Sequence, residues 1–272
     1  MEVDLVKERE KLEKLREKLI GLESVAVAYS GGVDSNFLLK VARDTLGDNV
    51  IAVTIHAMMH SNREIEEAKQ YTKNFGVKHI ILKIEDFDLK EFKENGVERC
   101  YHCKKYIFTK IKEVAKEHNI KYIVDGTNVD DLGDYRPGLK ALNELEVISP
   151  LKESGLKKDE IRLLSKDMKL ETFNKPSFAC LASRIPYGVE ITDEKLRIIE
   201  KSEEYLSDLG FSQFRVRMHE NIARIEVNQE ELGKFFENNN FSKVATKLKK
   251  FGFKYVTLDM SGYQMGSMNL NM

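Results

Sequence analysis

The chain has 272 residues, of which 42% are apolar and 33% charged, and its formal net charge is −1. This composition excludes a disordered chain, and the length favours one large domain with a smaller second one. The sequence contains no long basic block, no secretory h-region and no stretch of about 20 apolar residues, so we expect a cytoplasmic protein that neither grips nucleic acid by charge nor crosses a membrane.

The first half of the chain alternates short apolar runs with amphipathic stretches. An amphipathic helix with leucines at positions 5, 12, 15 and 19 comes first. Predicted strands follow at 24–28, 50–55, 79–84 and 122–124, and predicted helices at 37–46, 62–74 and 104–117. Strands that alternate with helices indicate an α/β fold, a doubly wound parallel sheet with helices on both faces.

The chain changes character at residues 173–188, which are rich in proline, glycine and small residues. We therefore predict a first domain at 1–172 and a second at 173–272. In the second domain we predict a helix at 192–209 with Thr192 as its N-cap, strands at 214–219, 222–227 and 254–258, and helical stretches at 229–238 and 241–251. The second domain is thus expected to be a smaller α+β domain.

A glycine-rich segment joins the first predicted strand to the next helix. It consists of Ser30, Gly31, Gly32, Val33, Asp34 and Ser35. The two glycines allow a close approach of bare backbone N–H groups to an anion, the helix N-terminus favours negative charge, and Asp34 can contribute to a Mg²⁺ site. A bare Gly-Gly turn would carry no such meaning, but the complete hexapeptide in this context favours phosphate binding. It lacks the Gly-Lys-Ser/Thr ending of a Walker A loop, so γ-phosphate transfer is not indicated.

This segment resembles the SGGxDS signature of the PP-loop ATP pyrophosphatases. The resemblance implies that ATP, with Mg²⁺, is cleaved between its α- and β-phosphates, that AMP is transferred to a substrate oxygen, and that pyrophosphate is released. It also places adenine beside the end of the second strand, which makes Thr54 an expected ATP-binding residue. Asn128 follows the end of the fourth predicted strand, where ligands collect in open α/β sheets, and is expected to contact the nucleotide.

Further motifs narrow the resemblance to one family. They are the segments 125–131, 133–138, 149–151, 176–188 and 262–269, of which the Ala-Cys-Leu-Ala-Ser-Arg run ending at Arg184 is the most specific. Together they resemble the LarE family, sulfur transferases that build the nickel-pincer nucleotide cofactor of lactate racemase. The resemblance extends from the phosphate loop to the C-terminal segment.

Membership of that family would imply a defined reaction. The carboxylates of pyridinium-3,5-biscarboxylic acid mononucleotide are activated with ATP and replaced by thiocarboxylates. In the sacrificial members the sulfur comes from a cysteine at the position of Cys180, which forms a thioester to the activated carboxylate and is left as dehydroalanine. Cys180 and Asp34 are accordingly the expected catalytic residues, and the second domain is expected to bind substrate or to form oligomer contacts.

This sequence differs from the sacrificial members in having two further cysteines, Cys100 and Cys103. Three thiolates can hold three irons of a [4Fe–4S] cluster and leave the fourth iron open for an extra sulfide. Similar three-cysteine clusters occur in tRNA thiolases of the same superfamily, so we expect all three cysteines to be cluster ligands and turnover to be catalytic. Alternatives are Zn²⁺ with His102 as a fourth ligand, a reversible disulfide between Cys100 and Cys103, and sacrificial use of Cys180.

Arginines mark the expected substrate site. Arg215 and Arg217 alternate along a predicted strand and so point to one face, which suits either a phosphate or a solvated outer surface. The family resemblance implies that they bind the phosphate of the mononucleotide, with Ser183 and Arg184 as additional substrate-site residues. The carboxylates at positions 203, 204 and 226 are expected mostly at the surface, although acid–base use is an alternative.

Other functions are possible with the same loop. A tRNA thiolase would need an RNA-binding surface, yet the sequence contains no basic run or strand-borne aromatic cluster, so nucleic acid is not expected as a partner. A nucleotide-binding regulatory protein would need the loop but not the cysteines. The expected partners are instead the mononucleotide, sulfide or a sulfur donor, and further copies of the chain in a homo-oligomer.

Overall fold

The computed structural model describes residues 5–85, 87–133, 137–176, 180–264 and 268. In chain order the elements are α1 (Val6–Leu22), β1 (Val25–Ala28), α2 (Val33–Leu46), β2 (Val50–His56), α3 (Asn62–Phe75), β3 (Lys78–Lys83), α4 (Lys90–Lys93), α5 (Arg99–Glu117), β4 (Tyr122–Val124), α6 (Gly138–Glu144), α7 (Pro150–Glu153), α8 (Lys158–Asp167), α9 (Asp193–Asp208), β5 (Phe214–His219), β6 (Ile222–Val227), α10 (Asn240–Phe251) and β7 (Tyr255–Leu258). Short 3₁₀ turns connect several of them.

The chain divides into two compact units. The first comprises residues 1–87 and 98–175, and the second comprises residues 88–97 and 176–272. Nowhere in the described ranges is there a helix long and apolar enough to span a membrane.

The first unit is built on a four-stranded parallel sheet in the order β3-β2-β1-β4. Its central strand β1 reads Val-Ala-Val-Ala, a continuous apolar run of the kind found in a strand buried on both faces. Leucines of α1 and the apolar residues of α2 pack into the same core. Ile148 bridges to Val124 in parallel and continues the sheet beyond β4. The predicted α/β fold with a parallel sheet flanked by helices is confirmed.

The second unit contains a three-stranded mixed sheet in the order β5-β6-β7, in which β5 and β6 are antiparallel and β6 and β7 parallel. Helix α9 packs against β5 and α10 against β7. The side chain of Thr192 accepts a hydrogen bond from Lys195 N, as predicted for the N-cap of α9. The expected α+β character of this smaller domain is confirmed.

Residues 229–238, predicted to be helical, form 3₁₀ turns (Gln229–Phe235 and Glu237–Asn239) rather than an α-helix. Asn238 and Asn239 adopt positive φ values of 50° and 61°, which end any regular helix there. A new helix, α10, begins immediately afterwards at Asn240.

A short segment from the first half of the chain belongs to the second unit. The side chain of Asn95 donates hydrogen bonds to the carbonyl oxygens of Pro186 (2.7 Å) and Val189 (2.9 Å), and its backbone carbonyl accepts one from Gly188 N at 3.0 Å. The second unit is therefore assembled from two separate stretches of chain, an arrangement that motifs read along the sequence do not indicate.

Candidate nucleotide and anion sites

The glycine-rich loop leads from β1 into the N-terminus of α2, where Gly32 is the N-cap. Gly31 has a φ of +72°, and a Cβ there would lie 3.1 Å from the Cβ of Ala68, so glycine is required both for its backbone conformation and for close packing. The hydroxyl groups of Ser30 and Ser35 lie 3.2 Å apart. Together with the helix N-terminus, this loop can bind an anion through backbone N–H groups and hydroxyls.

The buried side chain of Asn36 fixes the loop from beneath. Its backbone N–H and its Nδ2 both donate to the carbonyl oxygen of Gly32, at 2.9 and 3.1 Å, and Ser35 Oγ donates to the same oxygen at 3.2 Å. The hydroxyl of Tyr29 in turn donates to Asn36 Oδ1 at 2.6 Å. Burial raises the pKa of Tyr29, so this phenol remains a proton donor at all ordinary pH values. The loop is therefore held in shape before any ligand binds.

Asp34 lies at the start of α2 with two unlike oxygens. Its Oδ2 accepts a hydrogen bond from Lys158 Nζ, while its Oδ1 is buried and has no hydrogen-bond partner in the described part of the chain. Burial raises the pKa of Asp34, with Lys158 and to a smaller degree Asn128 acting in the opposite direction. A buried carboxylate oxygen without a donor fits a site for Mg²⁺, which prefers oxygen ligands.

The carboxyl end of β4 meets the loop. A Cβ on Gly126 would lie 3.1 Å from Ser35 N, so the residue after Asp125 has to be glycine for this approach. Asn128 is buried here; its N–H donates to Asp131 Oδ2 and its Oδ1 accepts from Asp130 N, both at 2.9 Å. The structure thus brings the predicted nucleotide residue Asn128 to the same sheet edge as the loop, where ligands collect in such folds.

Thr54 lies on β2, and its side chain is engaged within the protein. Its Oγ1 donates to the carbonyl oxygen of Tyr29 and lies 2.7 Å from His79 Nε2, while His79 Nδ1 lies 3.0 Å from Thr72 Oγ1. Burial, helped by Lys69, lowers the pKa of His79 to about 4, so the imidazole is neutral. An adenine contact at Thr54 would therefore have to come from the backbone of β2.

The three cysteines are divided between the two units, and none forms a disulfide. Cys100 and Cys103 lie in the first turn of α5, three residues apart and therefore on one face of the helix. Cys100 is exposed, and its Sγ accepts a 3.8 Å hydrogen bond from the neighbouring Arg99. Cys180, in the second unit, is also exposed, and its carbonyl oxygen accepts a hydrogen bond from Arg184 Nη1 at 3.4 Å.

Within the residues that the structure describes, no group of three or more His, Cys, Asp or Glu side chains is placed to hold a metal ion. Two thiols on one helical face and a third exposed thiol nevertheless form a donor set of the kind that binds iron. The motif residues 134–136, 177–179, 265–267 and 269 lie outside the described part of the chain.

The predicted substrate arginines are buried, which rules out the alternative of a solvated outer face. Arg217 Nε and Nη2 donate to Glu226 Oε2 at 3.1 and 2.9 Å, and its Nη1 donates to the carbonyl oxygen of Ser183 at 3.1 Å. Arg184 donates to both oxygens of Glu203 and, at 2.8 Å, to the hydroxyl of Ser183. Ser183, Arg184 and Arg217 thus form one connected group in the second unit.

The surface location expected for Glu203 and Glu226 is wrong. Glu203 is 6% exposed and Glu226 is fully buried, because each carboxylate forms a two-bond ion pair with an arginine that chain order places far away. Glu203 also accepts a hydrogen bond from Val216 N at 2.9 Å. Both glutamates therefore neutralise and orient the arginines, which removes the support for acid–base use.

Arg215 completes the arginine group. It is 2% exposed, donates to the carbonyl oxygen of Phe214, and lies over the ring of Tyr263 at 5.0 Å from the centroid. Burial, with Arg184 nearby, lowers the pKa of Arg215 to about 10. A buried guanidinium whose charge is disfavoured by a neighbouring cation marks a position where an added anion is stabilised.

Two lysines of the first unit that the sequence reasoning missed contact the phosphate loop. Lys158 contacts Asp34, and Lys175 Nζ donates to the carbonyl oxygen of Gly31 at 3.0 Å. Neither lysine belongs to the glycine-rich motif, and no spacing rule links them to it. Only the folded chain brings them to the loop.

The parallel sheet, the loop at the end of its central strand and the Asp34 carboxylate define a PP-loop protein. In agreement, the ATP_bind_3 family model, described as a PP-loop domain, matches residues 5–134. The chain is 35% identical to pyridinium-3,5-bisthiocarboxylic acid mononucleotide synthase of Lactiplantibacillus plantarum over 91% of this chain and 90% of that protein. The chain thus belongs to the LarE family, as its motifs predicted.

Two other relatives show how far this similarity extends. An uncharacterized protein of Synechocystis sp. is 39% identical over 95% of this chain and 97% of its own length. One of the polypeptides of the glutamine-hydrolyzing GMP synthase of Archaeoglobus fulgidus is 31% identical over 72% of this chain and 69% of its own length. Similarity to the GMP synthase polypeptide covers less of the chain than similarity to the mononucleotide synthase.

Proposed function

We propose that this chain is an ATP-dependent sulfur transferase that converts carboxylates of pyridinium-3,5-biscarboxylic acid mononucleotide into thiocarboxylates. The observation that carries the proposal is that one chain contains both a phosphate loop and the Cys180–Arg184 turn, whose guanidinium is fixed by the buried Glu203. The similarity to the L. plantarum synthase over nine-tenths of the chain supports the choice of substrate.

In the first step, a carboxylate oxygen of the substrate attacks the α-phosphorus of ATP. The bond from that phosphorus to the oxygen bridging to the β-phosphate breaks, and pyrophosphate leaves with the electron pair. The loop from Ser30 to Ser35, including the N–H groups of Gly31, Gly32 and Val33, would hold the phosphates, and Asp34 would supply an oxygen to Mg²⁺, which neutralises charge on the phosphates. Asn128 and the backbone at Thr54 would contact the nucleoside.

The mononucleotide phosphate would bind at the arginines of the second unit. Arg184 and Arg217 are oriented by Glu203 and Glu226, so their guanidinium groups are already fixed before substrate arrives. Arg215 adds a buried cation whose lowered pKa would return toward its usual value when a phosphate binds. The hydroxyl of Ser183, held by Arg184, is available as a further hydrogen-bonding group.

Sulfur would enter through the cysteines. Cys180 is exposed, and its thiolate can attack the activated carboxyl carbon, which breaks the bond to AMP and forms a thioester. We further propose that Cys100, Cys103 and Cys180 are the ligands of a [4Fe–4S] cluster. When bound, that cluster would supply an open iron for sulfide, so that Cys180 is retained rather than consumed.

The activity test uses anaerobically purified full chain with ATP, Mg²⁺, sulfide and the biscarboxylic acid mononucleotide. We expect pyrophosphate release together with a product in which sulfur replaces carboxylate oxygen, detected by mass spectrometry. Pyrophosphate release with tRNA but not with the mononucleotide would contradict the proposed substrate. Binding of ATP without pyrophosphate release under any condition would contradict an enzymatic role.

The cluster is tested separately by iron and sulfide analysis with a visible spectrum, comparing the wild type with Cys100→Ala. We expect iron and sulfide in the wild type and a loss of both in the variant. A colourless, iron-free wild type whose Cys180 becomes dehydroalanine after turnover would overturn the cluster while leaving the sulfur transfer intact.

A further inference from the structure

The phosphate loop contains no basic residue of its own. Between Ser30 and Ser35 the only charged side chain is Asp34, which is acidic. The N-terminus of α2 supplies a partial positive charge of about one half, far less than the charge of a triphosphate. A P-loop overcomes this shortage with its own lysine, which reaches the β- and γ-phosphates, but the motif here has no such residue. Cations from other segments of the chain are therefore needed.

Lys175 is one such cation, held against the loop from three sides. Its Nζ donates to the carbonyl oxygen of Gly31 at 3.0 Å, lies 2.7 Å from Glu67 Oε2, and lies 5.6 Å from the centre of the Tyr71 ring. The backbone carbonyl of Lys175 accepts a hydrogen bond from Arg162 Nη2 at 2.9 Å, which fixes the segment that carries it. The lysine side chain is 10% exposed, so its charge is concentrated at the loop.

Lys158 is the second cation, placed at the other end of the loop. It is the first residue of α8, and its backbone N–H donates to Asp130 Oδ2 at 2.8 Å. The N–H of Lys157 donates to Glu160 Oε2 at 2.8 Å, which fixes the same helix start. From this anchored position the ammonium group of Lys158 reaches Asp34.

We propose that Lys158 and Lys175 bind the β- and γ-phosphates of ATP and the pyrophosphate that leaves. The inference rests on the proposed use of ATP and adds the residues that stabilise the leaving group. As the α-phosphorus loses its bond to the bridging oxygen, the electron pair moves onto pyrophosphate, and a fixed positive charge lowers the energy of that step. For Lys175 a phosphate oxygen would be a stronger acceptor than the neutral carbonyl of Gly31.

The test measures binding to the full chain by calorimetry with Mg²⁺ present, using pyrophosphate, ATP and AMP as separate probes. Lys158→Met and Lys175→Met should each weaken pyrophosphate and ATP binding by about tenfold or more, because a hydrogen-bonded charge contact is lost. AMP, which has no β- or γ-phosphate, should bind each variant with an unchanged dissociation constant. The exposed neighbours Lys157 and Lys166 provide matched controls, since Lys157→Met and Lys166→Met should bind all three probes as the wild type does.

Equal losses for AMP and pyrophosphate would mean that the lysines only shape the loop, and unchanged pyrophosphate binding would mean that they do not contact it. Either result overturns the inference. A wild type that binds neither ATP nor pyrophosphate would instead contradict the proposed function itself.

A second variant keeps the inference testable should Lys175→Met fail to fold. Glu67→Gln removes the carboxylate that neutralises Lys175 but leaves the ammonium group in place. If Lys175 binds pyrophosphate, this variant should bind it several-fold more tightly than the wild type, whereas a purely structural clamp predicts equal or weaker binding.

Discussion

Glu203 holds Arg184 through two hydrogen bonds of 2.8 and 3.0 Å, and both side chains are almost fully buried. The same guanidinium reaches the hydroxyl of Ser183 and the carbonyl of Cys180. One ion pair therefore sets the conformation of the turn that carries the proposed sulfur-handling cysteine.

Replacement of Glu203 by glutamine should destabilise the protein strongly. The substitution keeps the shape of the side chain but leaves Arg184 as a buried charge without its carboxylate, and breaking such a pair costs about 3 to 5 kcal/mol. Urea denaturation monitored by circular dichroism measures the change in the free energy of unfolding. Glu230→Gln, at an exposed position, is the control and should change it by less than about 0.5 kcal/mol. A Glu203→Gln variant as stable as this control would show that the ion pair contributes little.

Adding one methyl group at Gly126 should weaken nucleotide binding. A Cβ there would lie 3.1 Å from Ser35 N and 3.3 Å from Asp34 Cβ, so the phosphate loop would have to shift. We expect Gly126→Ala to bind ATP about tenfold more weakly, which corresponds to about 1.4 kcal/mol. Gly96→Ala is the matched control because nothing lies within 4 Å of its added Cβ. Equal ATP affinities in the two variants would contradict the role assigned to this contact.

Stability should fall in mild acid because of His79. Burial lowers the pKa of His79 to about 4 in the folded protein, whereas in the unfolded chain its pKa is near its ordinary value of 6.5. Between these two values the unfolded state binds more protons, so stability is complete above about pH 6.5 and decreases as the pH falls toward 4. We expect this histidine to contribute about 1 to 2 kcal/mol of the loss, after allowance for its partial exposure. Urea denaturation at a series of pH values should show a shallower acid slope in His79→Gln, and parallel slopes would exclude His79 as the cause.

Anion binding should depend on Arg215. Because the charge of this buried guanidinium is disfavoured in the free protein, a phosphate group should stabilise the folded state, and the mononucleotide should raise the melting temperature. Arg215→Met should reduce that shift and weaken mononucleotide binding by about tenfold or more. Arg197, whose side chain is 71% exposed in a surface ion pair, offers Arg197→Met as a control that keeps the full shift. An unchanged shift in Arg215→Met would place the phosphate elsewhere.

The sequence predicts those parts of the fold that local patterns determine. β4 at Tyr122–Val124, β5 and β6 have the predicted bounds, because apolar runs and alternation depend on neighbouring residues only. The helix that carries Cys100 and Cys103 begins at Arg99 rather than at the predicted residue 104. Its N-cap residue, Glu98, makes no side-chain capping bond, so the usual signal for a helix start is missing.

The candidate site is predictable only in part, for a related reason. Motif and resemblance lead to the phosphate loop, to Asn128 and to the arginines, since these lie within short recognisable segments. The burial of Glu203 and Glu226 and the contacts of Lys158 and Lys175 depend on residues that fold together from distant positions. Such pairings have no signature in a single sequence, because burial and partner choice are decided by tertiary packing.

The segment that Asn95 anchors has a consequence for dividing the protein. A fragment that ends at residue 175 would carry residues 88–97 without the surroundings that cover Phe92 and accept the hydrogen bonds of Asn95. It would thereby present a sticky apolar flap to other molecules. The complementary fragment 176–272 would lack one piece of its own core, and a short peptide with the sequence of residues 88–97 would be its natural complement in trans.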